Sequence, residues 1–460
     1  LAVNTGVIGI GTVLSKSLSF LVIPICTFLL SPVDFGRFDL AVTYLGLMVP
    51  LVTLQLEQAI FRFVFDNRQS GAPYFAVAIT LVGGISLLMG AGVFLVSHFV
   101  FRLSFGLPLA IYLVGFSLYS CCLEYLRGLG RLVEYSATGV VAGLSVFAGV
   151  LVLVVWLRQG VVGLMWAFAI PYVMLCALIV IKFRPLTRDA IFARRPWAEL
   201  GSMLGYSVPL VPNVMAFWVL NVSDRTFVTV FVGAAANGIY AVAAKVGMLL
   251  VIVFGIFNVS FQQTAIESLQ DSDRDEFFGR LFVRMVRVLL AIGCGVVGFS
   301  PFLFHHFVGP GYEGAIRYVP GLAFGAVLLI LAQYLGNVLI AHKKTKAIGV
   351  STGLGAVVNV LCNLSLIPIV GIAGAVISTI VGFAVMLVAR YYIAGRGFIH
   401  RGDIVALVPA IGGYVACSAV AIWGGARLDL WSAGMAGIAA TLLLKRELVR
   451  LISLVGRSYK

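Results

Sequence analysis

The chain of 460 residues is 61% hydrophobic and only 11% charged, with a mean hydropathy of +1.08, which excludes a soluble enzyme and indicates an integral membrane protein. Its net charge of +14 raises nucleic acid as a partner, but that needs basic residues clustered on one soluble face, and here they are scattered between apolar stretches. The seven cysteines lie in apolar stretches without CxxC or Cys/His spacing, so neither disulfides nor a metal are expected.

The first apolar window, 4–30, is long enough for the roughly 30 Å of a bilayer core and carries Lys16 near its centre. No cleavable signal precedes it, and a short native leader ahead of Leu1 is expected. A cation at mid-span costs about 2.5 to 3.5 kcal/mol on insertion scales, so the ammonium should face water or a partner. Thr5, Thr12, Lys16, Ser19 and Thr27 share one helical face, which reads as the wall of a cationic wet cavity. The alternative is a lysine that snorkels or pairs with one acidic neighbour.

Thirteen further windows follow, near 40–61, 73–99, 107–126, 138–157, 164–182, 206–232, 238–261, 286–304, 318–341, 347–367, 372–392, 403–424 and 430–446. With both ends cytoplasmic, the inside loops hold 24 of the 32 Lys and Arg, Arg390 among them, and the outside loops and outer helix ends hold six, Arg225 among them, while Lys16 and Lys245 lie inside spans. That bias sets the orientation. The basic loop 182–200 is the longest inside loop and reads as the linker between two lobes of similar length. No outside loop is long enough for a catalytic domain; His305 and His306 lie in the largest, with no third ligand close by.

Three matches in the same order indicate a duplication. Phe35-Gly36-Arg37-Phe38 pairs with Asn237-Gly238-Ile239-Tyr240, Arg127-Gly128-Leu129-Gly130-Arg131 with Ile340-Ala341-His342-Lys343-Lys344, and Gly160-Val161-Val162-Gly163 with Gly371-Ile372-Ala373-Gly374, at offsets of 202, 213 and 211. The expected fold is an all-α polytopic membrane protein of about 14 transmembrane helices. Residues 1–183 form an N-terminal six-helix lobe, 184–200 the cytoplasmic linker and 201–393 a second six-helix lobe related to the first by a pseudo-two-fold repeat. Residues 394–460 hold two extra helices and a basic tail.

The seventh window, YSVPLVPNVMAFWVLNVSDRTFV, places Asn213, Asn221 and Asp224 on one face, with Pro209 and Pro212 expected to bend it. Arg225 points about 100° away from Asp224, so each needs another partner. Lys245 and Lys16 are candidates for Asp224, and a structural bridge from Asp224 to Lys245 stands beside a substrate role. In the second window, TLQLEQAIFRF brings Gln55, Gln58 and Arg62 together beside Glu57 as a polar vestibule. Glu124, shortly before Arg127, reads as an interfacial anchor or, alternatively, a proton carrier. A cavity holding Lys16, Lys245 and Arg225 suits an anion such as phosphate. There is no GxxxxGK[ST] loop for ATP and no nucleophile with a positioned base, so no cofactor and no catalysis are expected.

The segments SKSLSFLVIPICTFLLSPVDFGRFDL, TLQLEQAIFRF and PLVPNVMAFWVLNVSDRTFV with the later NGIYAVAAKV resemble the O-antigen-type polysaccharide flippases of the multidrug/oligosaccharidyl-lipid/polysaccharide exporter superfamily. The resemblance covers the chain through the twelfth span. It implies a bacterial inner-membrane protein with both termini cytoplasmic, whose spans 1, 2, 7 and 8 line a central cavity open alternately to each side. The implied substrate is undecaprenyl-diphosphate-linked oligosaccharide for O-antigen or exopolysaccharide, and the implied partners include a polysaccharide polymerase and chain-length machinery. Spans 13 and 14 would offer a groove for the lipid tail. A peptidoglycan-precursor flippase is the nearest alternative. A cation-coupled multidrug exporter would want membrane carboxylates where this chain has Lys16, and a polymerase or ligase would need a sizeable outer loop.

Overall fold

The computed structural model describes residues 21–66, 71–182, 199–251, 274–342, 344–394 and 408–423, with single positions between 254 and 261. Among the described residues there is no strand, and eleven helices are long and apolar enough to cross a membrane. This is the all-α polytopic class expected from the apolar windows. The chain divides into two compact units, Leu1–Trp218 and Val219–Lys460. Most of the first span, nearly all of the 184–200 linker and the whole of the 430–446 window lie outside the described residues.

In the first unit the second window is occupied by two helices in series, α1 (Pro32–Thr53) and α2 (Leu56–Asp66). α1 starts earlier than hydropathy indicates because Ser31 caps it, its hydroxyl accepting from Asp34 N–H at 3.2 Å, with Pro32 at the first helical position. Leu54 and Gln55 then adopt φ of 50° and 57°, a left-handed pair that ends α1. Two side-chain-bearing residues in that region cost roughly 1–3 kcal/mol each, so surrounding packing must hold them there. Helices α3 (Ala72–Leu95), α4 (Gly106–Gly128), α5 (Leu132–Val150) and α6 (Gly160–Lys182) follow. Their core is aromatic: Phe75 stacks on Tyr125 at 4.1 Å, and Tyr112, Phe116 and Tyr119 surround Tyr172. The seventh window opens with α7 (Leu200–Ser207), a 3₁₀ turn at Val208–Leu210, and α8 (Val211–Phe231). The interruption falls at Pro209 and Pro212, as the missing N–H groups require.

The second unit takes α8 from Val219 onward, then α9 (Ala234–Gly247), α10 (Arg274–Phe307), α11 (Val319–Ala341), α12 (Thr345–Val370), α13 (Ile372–Ala394) and α14 (Val408–Trp423). Tyr334 anchors its core, stacking on Phe261 at 4.3 Å and donating to Phe278 O at 2.9 Å. The thirteenth window, here α14, packs onto this unit: Tyr414 Oη donates to Pro320 O at 2.6 Å and its ring lies against Gly293.

The duplication seen in sequence has a counterpart in local geometry. Gly160 and Gly371 both have left-handed φ, 59° and 62°, where the α5–α6 and α12–α13 hairpins turn. Three residues later in each copy the next helix passes close to the backbone of the one before. A Cβ on Gly163 would stand 2.9 Å from Leu153 O, and one on Gly374 would stand 2.6 Å from the Leu366 carbonyl carbon. Gly374→Ala should therefore displace main chain and cost about 1–3 kcal/mol, as overpacking does. Thermal melting of the purified protein reads the loss. Gly349→Ala, where a Cβ meets nothing within 4 Å, should melt near wild type.

Candidate functional site

Asp224 is buried in α8 of the second unit, at 2% exposure. Its Oδ2 accepts hydrogen bonds from the Tyr240 hydroxyl on α9 and from Thr379 Oγ1 on α13 (3.0 Å), and its Oδ1 accepts from Arg225 N–H (2.9 Å). One residue earlier, Ser223 Oγ donates to Asn359 Oδ1 on α12 at 3.1 Å, and that oxygen also receives Asn363 Nδ2 at 3.0 Å. Four helices thus contribute to one buried polar cluster. Asn359 Nδ2 and Asn363 Oδ1 have no hydrogen-bond partner among the described residues. The cluster is made of oxygen donors around one carboxylate, with neither histidine nor cysteine, a set suited to a proton or a hard monovalent cation rather than a soft metal. No group of three or more His, Cys, Asp or Glu positioned for a metal occurs among the described residues.

The remaining site residues sort by environment. Asn221 and Arg225 on α8 and Lys245 in the last turn of α9 are half-buried, while Asn213, in the first unit, is exposed. In the first unit Gln55 and Glu57 are buried at the α1–α2 junction, Gln58 is half-buried, and Arg62 is exposed and paired with Asp66 at 3.2 Å. Arg62 is thus separated by its exposure from the buried Gln55 and Glu57. Glu124 pairs with Arg127 at 3.1 Å, in keeping with an anchoring role. Lys16 lies outside the described residues.

Tyr240, Thr379, Asn359 and Asn363 were not singled out by sequence reasoning. Asn359 and Asn363, spaced i, i+4 in the apolar stretch VVNVLCNLSLI, were the readable signal, because amides inside a membrane span need a partner. Arg390 was counted among inside-loop cations, yet it is buried at 5% exposure. Its Nη1 donates to Ala332 O (2.7 Å), Nη2 to Thr352 Oγ1 (2.9 Å) and Nε to Ser351 Oγ (3.1 Å), tying together α11, α12 and α13. Arg390→Lys keeps the charge but not the planar fork. Losing two charged hydrogen bonds, at about 1.5–3 kcal/mol each, should lower stability by about 3–6 kcal/mol, checked by thermal melting in detergent.

A family model described as "Polysaccharide biosynthesis protein" matches residues 1–266, more than half of the chain. The chain belongs to that family. Among solved structures, the chain is similar to the lipid II flippase MurJ in an inward closed conformation, with a TM-score of 0.74 at 10% identity, covering 98% of this chain and 100% of the other. It is also similar to an inward-facing multidrug resistance MATE transporter of the MOP superfamily (TM-score 0.60, 15% identity, 86% and 96% covered). A transporter of that superfamily from Pyrococcus furiosus, described as having a binding pocket of reversed polarity, matches at a TM-score of 0.56 and 14% identity, with 88% and 96% covered. No curated protein matches the sequence. The fold is that of the superfamily's membrane transporters.

Proposed function

We propose that this protein is a flippase that moves an undecaprenyl-diphosphate-linked oligosaccharide from the cytoplasmic to the outer leaflet of a bacterial inner membrane, for cell-surface polysaccharide synthesis. The observation that carries the reading is the family match over residues 1–266, which includes the apolar window 4–30 with Lys16 near its centre in sequence. Lys16, Lys245 and Arg225 would hold the diphosphate, with Asn213, Asn221, Gln55, Gln58 and Arg62 along the path of the sugar. Transport would proceed by alternating access without a covalent step, in two six-helix lobes with the linker and both termini cytoplasmic. The direct test is restoration of surface polysaccharide in a bacterium deleted for its own O-antigen flippase; absence of restoration by a well-expressed, inserted protein overturns the reading.

The likeness to MurJ over nearly the full length of both chains favours lipid II as the second reading. Depletion of the peptidoglycan flippase separates the two: rescue of growth there, without polysaccharide display in the first strain, assigns lipid II. Topology is checked separately. Reporter fusions at Pro196 and after Arg457 are expected to report cytoplasm, and a periplasmic signal at either reverses the orientation.

A further inference from the structure

Two hairpin corners of the first unit repeat one another at an offset of 56 residues. The helices α3 and α5 each end in a π-helical turn, Val96–Val100 and Leu151–Trp156. Phe101 N–H then bonds to Val96 O (3.1 Å) and Leu103 N–H to Ser97 O (2.8 Å). At the second corner Leu157 N–H bonds to Val152 O (2.9 Å) and Gln159 N–H to Leu153 O (3.0 Å) in the same pattern. Each corner turns through an arginine in the left-handed region, Arg102 and Arg158, both at φ 50°. After α4 and α12 the left-handed residue is instead a glycine, Gly130 and Gly371, which adopts that conformation without strain. An arginine kept twice where glycine is easier points to a use for the guanidinium.

Each of these arginines also lacks an acidic neighbour in its hairpin. Arg102 is the sole Asp, Glu, Lys or Arg between residues 72 and 123, and Arg158 the sole one between 135 and 181. Both are exposed, and neither makes an ion pair or a side-chain hydrogen bond among the described residues. They lie at the same end of the unit, because α4 runs back from the first corner and α5 returns to the second. At the opposite end Arg131 and Lys182 both pair with Glu134, at 3.3 and 3.1 Å. Beside the unpaired arginines stand exposed rings, Phe99 and Phe101 at 67% and Trp156 at 78%. Aromatic side chains at the ends of spans sit at headgroup level, where phospholipid phosphate is the anion at hand. A guanidinium takes two phosphate oxygens at once. The ammonium of a zwitterionic headgroup would want a carboxylate, which neither hairpin offers, so a lipid with net negative charge fits these corners best.

We propose that Arg102 and Arg158 form two separate sites for anionic phospholipid, each guanidinium holding a headgroup phosphate in the leaflet remote from Lys182, with Phe99 and Phe101 or Trp156 set among the neighbouring lipid. With the 184–200 linker cytoplasmic, that leaflet is the outer one. The sites are separate from the Asp224 cluster in the second unit and do not depend on what the protein carries.

Hydrogen exchange of the full-length protein tests this in nanodiscs of phosphatidylcholine alone and with rising fractions of phosphatidylglycerol. At half occupancy, exchange at amides of 96–104 and 152–160 should slow by about twofold, and further as the fraction rises. Arg102→Asn removes the guanidinium but suits a left-handed backbone, so it should abolish the lipid response at 96–104 and leave that at 152–160 intact. Arg158→Asn should do the reverse. Should either variant fail to fold, the wild-type comparison and the other variant still decide. If the arginines only close their corners, the asparagine variants keep the full response to phosphatidylglycerol, and the sites are overturned. Equal exchange in the two membranes overturns them as well, as does loss at both corners in either single variant. Inorganic phosphate added to phosphatidylcholine nanodiscs should give no protection; protection there assigns the arginines to soluble phosphate and overturns the lipid reading.

Discussion

Lys16→Ala is expected to abolish surface polysaccharide in cells that rely on this protein, with protein amount and membrane insertion near wild type. An ammonium 4 Å from a phosphate oxygen contributes about 4 kcal/mol at an effective dielectric of about 20, so its loss weakens diphosphate binding roughly a thousandfold. Lys16→Arg keeps the charge in a similar place and should retain part of the export, because a diphosphate can be read as point charge. The competing account, a lysine that snorkels for structural reasons, predicts the opposite pattern. Removing a charge that costs about 2.5 to 3.5 kcal/mol at mid-span would then make insertion easier and leave export untouched. Immunoblotting of membranes beside polysaccharide display separates the two. Full display from an abundant alanine variant removes Lys16 from substrate recognition.

The helices were legible because bilayer thickness imposes long apolar windows, and few folds besides a polytopic bundle accommodate so many. The turns at Gly160 and Gly371 were legible too, since a left-handed residue followed by a close backbone approach leaves glycines at fixed spacing. The break at Leu54 and Gln55 was not, because neither residue is a glycine or proline and only the surrounding packing enforces their conformation. Asp224 stood out as a charge within an apolar span. Its donors did not: a tyrosine and a threonine in apolar helices look like ordinary packing residues until the fold brings the chain 16 and 155 positions away into contact. Arg390 was misplaced for a similar reason. Its position near a span end resembles an inside-loop cation, and only the hydroxyls of Ser351 and Thr352 with the Ala332 carbonyl reveal a buried one.

The Asp224 cluster separates structural from functional charge. Asp224→Ala leaves the Tyr240 hydroxyl without its carboxylate acceptor, while Thr379 Oγ1 keeps the Ala375 carbonyl at 2.9 Å, and a buried group deprived of its partner costs about 1–3 kcal/mol. That variant should melt far below wild type and be scarce in membranes. Asp224→Asn keeps the shape and one acceptor oxygen while removing the charge, so it should remain abundant. If the carboxylate holds a proton or cation during the transport cycle, abundant Asp224→Asn should still fail to export; if it only ties α8 to α9 and α13, export should persist. Tyr240→Phe supplies the matching control, removing one donor and leaving the charge. Lys245 enters through a double variant. Should Asp224 and Lys245 balance one another, Asp224→Ala with Lys245→Ala should recover stability lost in either single variant, because neither charge is then stranded. Should Lys245 instead contact the diphosphate, the double variant should stay inactive however well it folds. Abundance by immunoblot and export by polysaccharide display, measured on the same cells, give the answer, and an abundant double variant with full export removes both residues from the transport mechanism.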